Sequence, residues 1–161
     1  MGGTDTLALA ARLFHEAFAA QMRGRLDEAV QLYRRSLDAF PTAEAHTFLG
    51  WTYSFQGLLD EAIGECRKAI AVDPAFGNPY NDIGAYLFEL GRYEEAIPWL
   101  EKAKRAPRYD APHYPRFNLG RAYVALEMYS RALAEFEEAL ALQPDFPAAQ
   151  HAASAIRRQL N

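Results

Sequence analysis

One six-residue pattern returns along this 161-residue chain, and its spacing constrains the fold more than any other feature. GRLDEA at 24 to 29 is followed by GLLDEA at 57 to 62, GRYEEA at 91 to 96 and the weaker EMYSRA at 127 to 132, at offsets of 33, 34 and 36 residues. Two more markers keep the same phase. An apolar residue followed by glycine stands at Leu49 and Gly50, Ile83 and Gly84, and Leu119 and Gly120, and a proline closes units at Pro41, Pro74 and Pro144. A fixed period in this range marks a stack of similar supersecondary units, none of which can bury its apolar face alone.

Each marker has a mechanical reason. Gly24, Gly57 and Gly91 stand where one helix stops and the chain reverses, a left-handed turn that glycine enters without steric penalty. The acidic pairs that follow, such as Asp60 and Glu61, fall in the first turn of the next helix, where negative charge favours the helix dipole. Ala29, Ala62, Ala96 and Ala132, facing Gly50, Gly84 and Gly120 on the partner helix, let an antiparallel pair approach closely. Asn78 before Pro79 is a helix-start signal. The composition agrees: 30 Ala and 18 Leu against 3 Val, 5 Ile and 5 Thr favour helix and leave little for a sheet.

In these residues the chain resembles the tetratricopeptide repeat family, whose period is about 34 residues. Repeat two carries Leu49, Gly50, Tyr53, Gly57, Ala62, Ala69 and Pro74, with Cys66 in the aromatic place of the second helix. Repeat three has Leu87 and Leu100 in the aromatic places, and repeat four carries Leu119, Gly120, Tyr123, Ala132, Phe136, Ala139 and Pro144. Repeat one matches in its second half, with Ala17 where the glycine belongs and Glu16 in the apolar place. The resemblance implies an all-α, right-handed α-solenoid in one domain over 1–161, with repeats at about 10–42, 43–76, 77–112 and 113–146. A capping helix at about 146–160 follows, with Pro147 in its first turn and Ala149, Ala153, Ile156 and Leu160 on one face.

First helices of this family line a concave groove that binds peptides or helices. The resemblance puts Thr47, Phe48, Trp51 and Phe55 of repeat two on that groove, with Asn78, Asn81, Asp82 and Phe88 of repeat three and Tyr114, Phe117, Asn118 and Arg121 of repeat four. Repeat one adds Phe14, Phe18 and Gln21. Eight of these residues are aromatic and lie outside the positions that pack helix on helix. An exposed aromatic patch marks a surface that a partner covers, so these positions form the expected peptide site, with asparagines free to bond a peptide backbone. The alternative is that some rings pack on one another. The family's carboxylate clamp for chaperone tails needs Lys and Asn, then Asn, then Lys and Arg. The matching positions hold Phe14 and Phe18, then Phe48, then Asn78 and Asp82, so that ligand is not expected.

The remaining features mostly exclude. A net charge of −4 gives no whole-molecule attraction for nucleic acid, and no apolar run reaches the roughly eighteen residues of a membrane span. The single Cys66 cannot form an internal disulfide, which fits a cytoplasmic setting. His15, His46, His113 and His151 are far apart in the repeat register, so no metal, cofactor or catalysis is expected. KRAPRYDAPHYPRF, from 104 to 117, holds the two extra residues of repeat three and most of the one basic concentration; it reads as a solvated elbow that changes the superhelical pitch. MGGTDT matches a loose N-acylation pattern at Gly2, though an ordinary frayed terminus is the simpler reading. The expected function is a non-enzymatic scaffold for a partner protein. Self-association into a homo-oligomer and a chaperone-like holder of secretion or assembly subunits are the alternatives.

Overall fold

The computed structural model describes residues 2–161, which form nine helices and no strand beyond one isolated bridge. They are α1 (Gly2–Met22), α2 (Leu26–Ala39), α3 (Ala43–Phe55), α4 (Leu59–Val72), α5 (Asn78–Glu89), α6 (Tyr93–Arg105), α7 (His113–Ala125), α8 (Tyr129–Leu142) and α9 (Pro147–Leu160). Each odd helix packs on the even helix after it, and each even helix packs on the next odd one. The first helices α1, α3, α5 and α7 also touch in sequence, so they line one face of the stack.

The repeated markers do the work their chemistry implies. Gly24, Gly57 and Gly91 turn the chain at φ values of 77°, 78° and 77°. The fourth turn places Glu127 at φ 59°, a left-handed conformation that crowds an L side chain. A Cβ on Gly84 would lie 2.4 Å from Leu100, and one on Gly120 would lie 2.4 Å from Phe136, so these glycines make room for the side chains of the second helix, while a Cβ on Gly50 would meet the Ala62 carbonyl itself at 2.9 Å. The facing alanines, Ala29, Ala62, Ala96 and Ala132, are fully buried. Tyr33, Cys66, Leu100 and Phe136 fill one equivalent core position in successive second helices. Burial pushes the Cys66 thiol well above its ordinary pKa, which makes it a small apolar filler rather than a nucleophile.

Both ends differ in part from expectation. α1 is helical from Gly2 instead of frayed, with Asp5 in its first turn and Thr6 Oγ1 donating to the Gly3 carbonyl, while residues 2–9 stand exposed. Met1, whose removal the acylation pattern requires, lies outside the described residues. In α9, Ala149, Ala153 and Ile156 close the last apolar face, but Leu160, at the end of the helix, is 47% exposed.

The largest departure is the segment after α6. It is not a solvated elbow. Residues 106–112 run back along the corner between α4 and α5, where the Arg108 N–H donates to the Ala75 carbonyl (3.1 Å) and the Gly77 N–H donates to the Arg108 carbonyl (2.9 Å). The Arg108 guanidinium lies 4.3 Å from the Phe76 ring centroid and donates to Asp73 (2.6 Å) and Glu44 (3.0 Å). A side chain on Gly77 would meet Tyr109 at 2.7 Å, so glycine there lets the strap close down. The rest of the basic concentration is largely engaged as well. Lys104 sits among Glu101, Glu135 and Glu138, Arg116 pairs with Glu138, and Lys102 lies over Trp99.

Candidate binding groove

Three first helices and the strap enclose a groove of about 350 Å³. α3 contributes Thr47, Phe48 and Trp51, α5 contributes Asn78, Asn81 and Asp82, and α7 contributes Tyr114. Spacings of three and four residues keep each set on one helix face. The strap adds Tyr109 and Ala111. Seven of the fifteen expected residues therefore meet in one place, together with two that the repeat pattern does not mark. The two-residue insertion and the tyrosine among its prolines were the only sequence signals for them.

The other expected residues extend away on two sides. On one side runs a ladder of rings: Phe14 and Phe18 meet Phe48 at 5.1 and 5.8 Å, Phe48 meets Trp51 at 5.8 Å, and Trp51 meets Phe55 at 5.1 Å. Phe14 and Phe48 also pack on the core, so they hold α1 to α3, and of the two Phe48 lines the groove. Phe18 and Phe55 remain 38% and 57% exposed. On the other side, Arg121 lies 4.2 Å from the Phe88 centroid and 5.9 Å from that of Phe117. Phe117 packs between Phe136 (5.7 Å) and Phe146 (4.9 Å). Phe88 and Phe117 do not line the groove itself, and Phe146, unmarked by the repeat, explains why Phe117 is covered.

The polar groups are more committed than the sequence implies. The Thr47 hydroxyl donates to the Ala43 carbonyl of its own helix (2.7 Å). Asn118 Nδ2 donates to Asn81 Oδ1 (3.0 Å), and Arg121 donates to Asn118 Oδ1 (3.3 Å). The two asparagines are thus one tethered pair, and Asn81 is only 8% exposed. Gln21 is turned away from the groove, accepting the Tyr33 hydroxyl at 2.7 Å.

Asp82 is the exception. Its carboxyl, half-buried in the groove, is pushed up to about 7 by loss of water around the charge, against a smaller opposing effect of a hydrogen bond from Asn81. Among the described residues no cation relieves it. Arg121 is spent on Asn118 and Phe88, and Arg108 on Asp73, Glu44 and Phe76.

Tetratricopeptide repeat models match residues 16–79 and 76–145, and the chain belongs to that family. The type IV pilus assembly protein PilF of Pseudomonas aeruginosa is 30% identical over 126 residues, covering 78% of this chain and 50% of that protein. The chain spans at most half the length of the curated relatives it matches. A solved structure of Pseudomonas aeruginosa PilF superposes with a TM-score of 0.89 at 24% identity, covering 99% of this chain and 71% of that one. The type IV pilus biogenesis factor PilW gives 0.81 at 23% identity over 87% of this chain and 64% of its own. The first tetratricopeptide domain of Spaghetti (RPAP3), solved with an HSP90 peptide, gives 0.69 at 24% identity over 74% and 93%. At these identities the superpositions establish the fold. Among the described residues, no group of His, Cys, Asp and Glu could hold a metal ion, and no helix is long and apolar enough to cross a membrane.

Proposed function

We propose that the chain is a non-catalytic protein-binding scaffold that holds a segment of a partner protein, as a peptide or a helix, in the groove between α3, α5, α7 and the strap. The observation that carries this reading is Trp51. It stands at the groove wall between Phe48 and Phe55, outside the packed core cluster, beside about 350 Å³ of open space. Half-buried aromatics around a concave volume are the usual anchors of a binding site. The RPAP3 domain with its bound peptide is a precedent for the fold. An acidic chaperone tail is a poor candidate here, because Asp82 occupies a place where the family's clamp has a cation.

The kinship with PilF favours a second, narrower reading in which the partner is a subunit of a secreted or surface assembly. A cytoplasmic setting is supported by the single, buried, unpaired Cys66. The test is a binding titration with peptides selected on the wild-type protein. Trp51→Ala should weaken them by about 2 kcal/mol or more while the melting curve moves little. Unchanged affinity would remove the groove from consideration.

A further inference from the structure

The groove has a carboxylate and aromatic walls, and among the described residues that line it there is no cation. The residues lining it besides Asp82 are Thr47, Phe48, Trp51, Asn78, Asn81, Tyr109, Ala111 and Tyr114, all of them uncharged. The titratable groups that the Asp82 charge reaches are Tyr86 on its own helix, Cys66 of α4 and Tyr109 of the strap, none of them a cation. A carboxylate withdrawn from water is costly until an opposite charge and hydrogen-bond donors reach it. Ring faces attract cations in the same way.

We propose that the groove receives an arginine side chain from the partner segment, its guanidinium donating to the Asp82 carboxylate among the rings of Trp51, Tyr109 and Tyr114. This proposal rests on the groove being the binding site. Arginine suits it better than lysine, because a guanidinium is planar, weakly hydrated, stacks on rings and bonds a carboxylate with two donors, whereas an ammonium keeps its water. The molecule already builds that arrangement within itself. Arg108 lies over Phe76 at 4.3 Å while donating to Asp73 at 2.6 Å, at the corner next to the groove. The site is thus the charge inverse of the family's carboxylate clamp.

The experiment is selection of displayed random dodecapeptides on the wild-type chain, on Asp82→Asn and on Trp51→Ala. Asp82→Asn keeps the shape of the side chain and removes a buried charge, and a melting curve checks that it folds. Wild-type selections should be enriched in arginine at one register beside apolar residues. The best peptide should lose about tenfold in affinity either when its arginine becomes norleucine or when the protein carries Asp82→Asn, and Asp82→Asn selections should keep the apolar residues without the arginine. Wild-type peptides without arginine, or equal enrichment on Asp82→Asn, overturn the arginine site and leave the groove standing. Equal enrichment of lysine overturns the preference for guanidinium. Peptides that bind Trp51→Ala as well as wild type, or no selected peptides at all, overturn the groove and with it this proposal.

Discussion

Replacing Asp82 by asparagine should stabilise the protein, and the gain should grow with pH. In the unfolded chain the carboxyl titrates near 3.8, and in the fold it titrates at about 7. Between those values the folded state holds a proton that the unfolded state has released, so stability falls as pH rises through this window and levels off above it. The gap between 3.8 and about 7, at ~1.4 kcal/mol per pH unit, sets a ceiling of about 4 kcal/mol. Asp82 keeps some contact with water in the open groove, and local relaxation screens the charge further, so about 2 kcal/mol is the expected size. Other carboxylates also titrate, Glu65 among them. Burial pushes Glu65 up, but hydrogen bonds from His46 and Lys68 outweigh it and hold it below the ordinary range, which gives the opposite pH trend. Those contributions are common to both proteins and cancel in the difference. Urea unfolding of wild type and Asp82→Asn, followed by circular dichroism from pH 4 to pH 8, measures that difference directly. It should open steadily to about pH 7 and then stay constant. A difference that is flat in pH, or that favours wild type as pH rises, refutes the claim that Asp82 is an uncompensated carboxylate.

Three further outcomes follow from the packing. Glu127→Gly should raise stability by about 1 kcal/mol in the same urea assay, because it removes a side chain from a left-handed turn at φ 59°. Gly77→Ala should cost about 1–3 kcal/mol, since its Cβ would lie 2.7 Å from Tyr109, and hydrogen exchange should rise at the Arg108 amide as the strap lifts. Phe48→Ala should destabilise the chain by about 2 kcal/mol through the lost contacts with Phe14 and Tyr33, whereas Trp51→Ala should cost about 1 kcal/mol or less. A Trp51 variant as unstable as the Phe48 variant would mean that Trp51 belongs to the core rather than to the site.

The fold was legible in the sequence because its markers are steric. Gly84 against Leu100 and Gly120 against Phe136 leave no room for another residue, and so the period survives in the letters themselves. The left-handed turn at Glu127 was harder to see, since nothing in its side chain marks the backbone it adopts. The groove helices were legible through the same register, and they bring Thr47, Phe48, Trp51, Asn78, Asn81, Asp82 and Tyr114 together. The strap was not. It is docked by Arg108 reaching Asp73 and Glu44, 35 and 64 residues back, and no local pattern records such a contact. The same distance hides the state of Asp82, because a carboxylate lacks a cation only once Arg108 and Arg121 are known to be engaged elsewhere. Ring packing was ambiguous for a related reason: Phe14 and Phe48 sit on groove positions and still reach Tyr33 of the core.

The central claim is that a partner segment lies in the groove of the first helices, and chemical-shift mapping tests it most directly. The ¹⁵N-labelled protein is titrated with a peptide selected on it. The largest shifts should fall on the Trp51 indole N–H, the side-chain amides of Asn78 and Asn118, and the backbone of 109–111, with Trp99 on α6 unmoved. Shifts concentrated on α2, α4, α6 and α8, with the Trp51 indole unchanged, would contradict it.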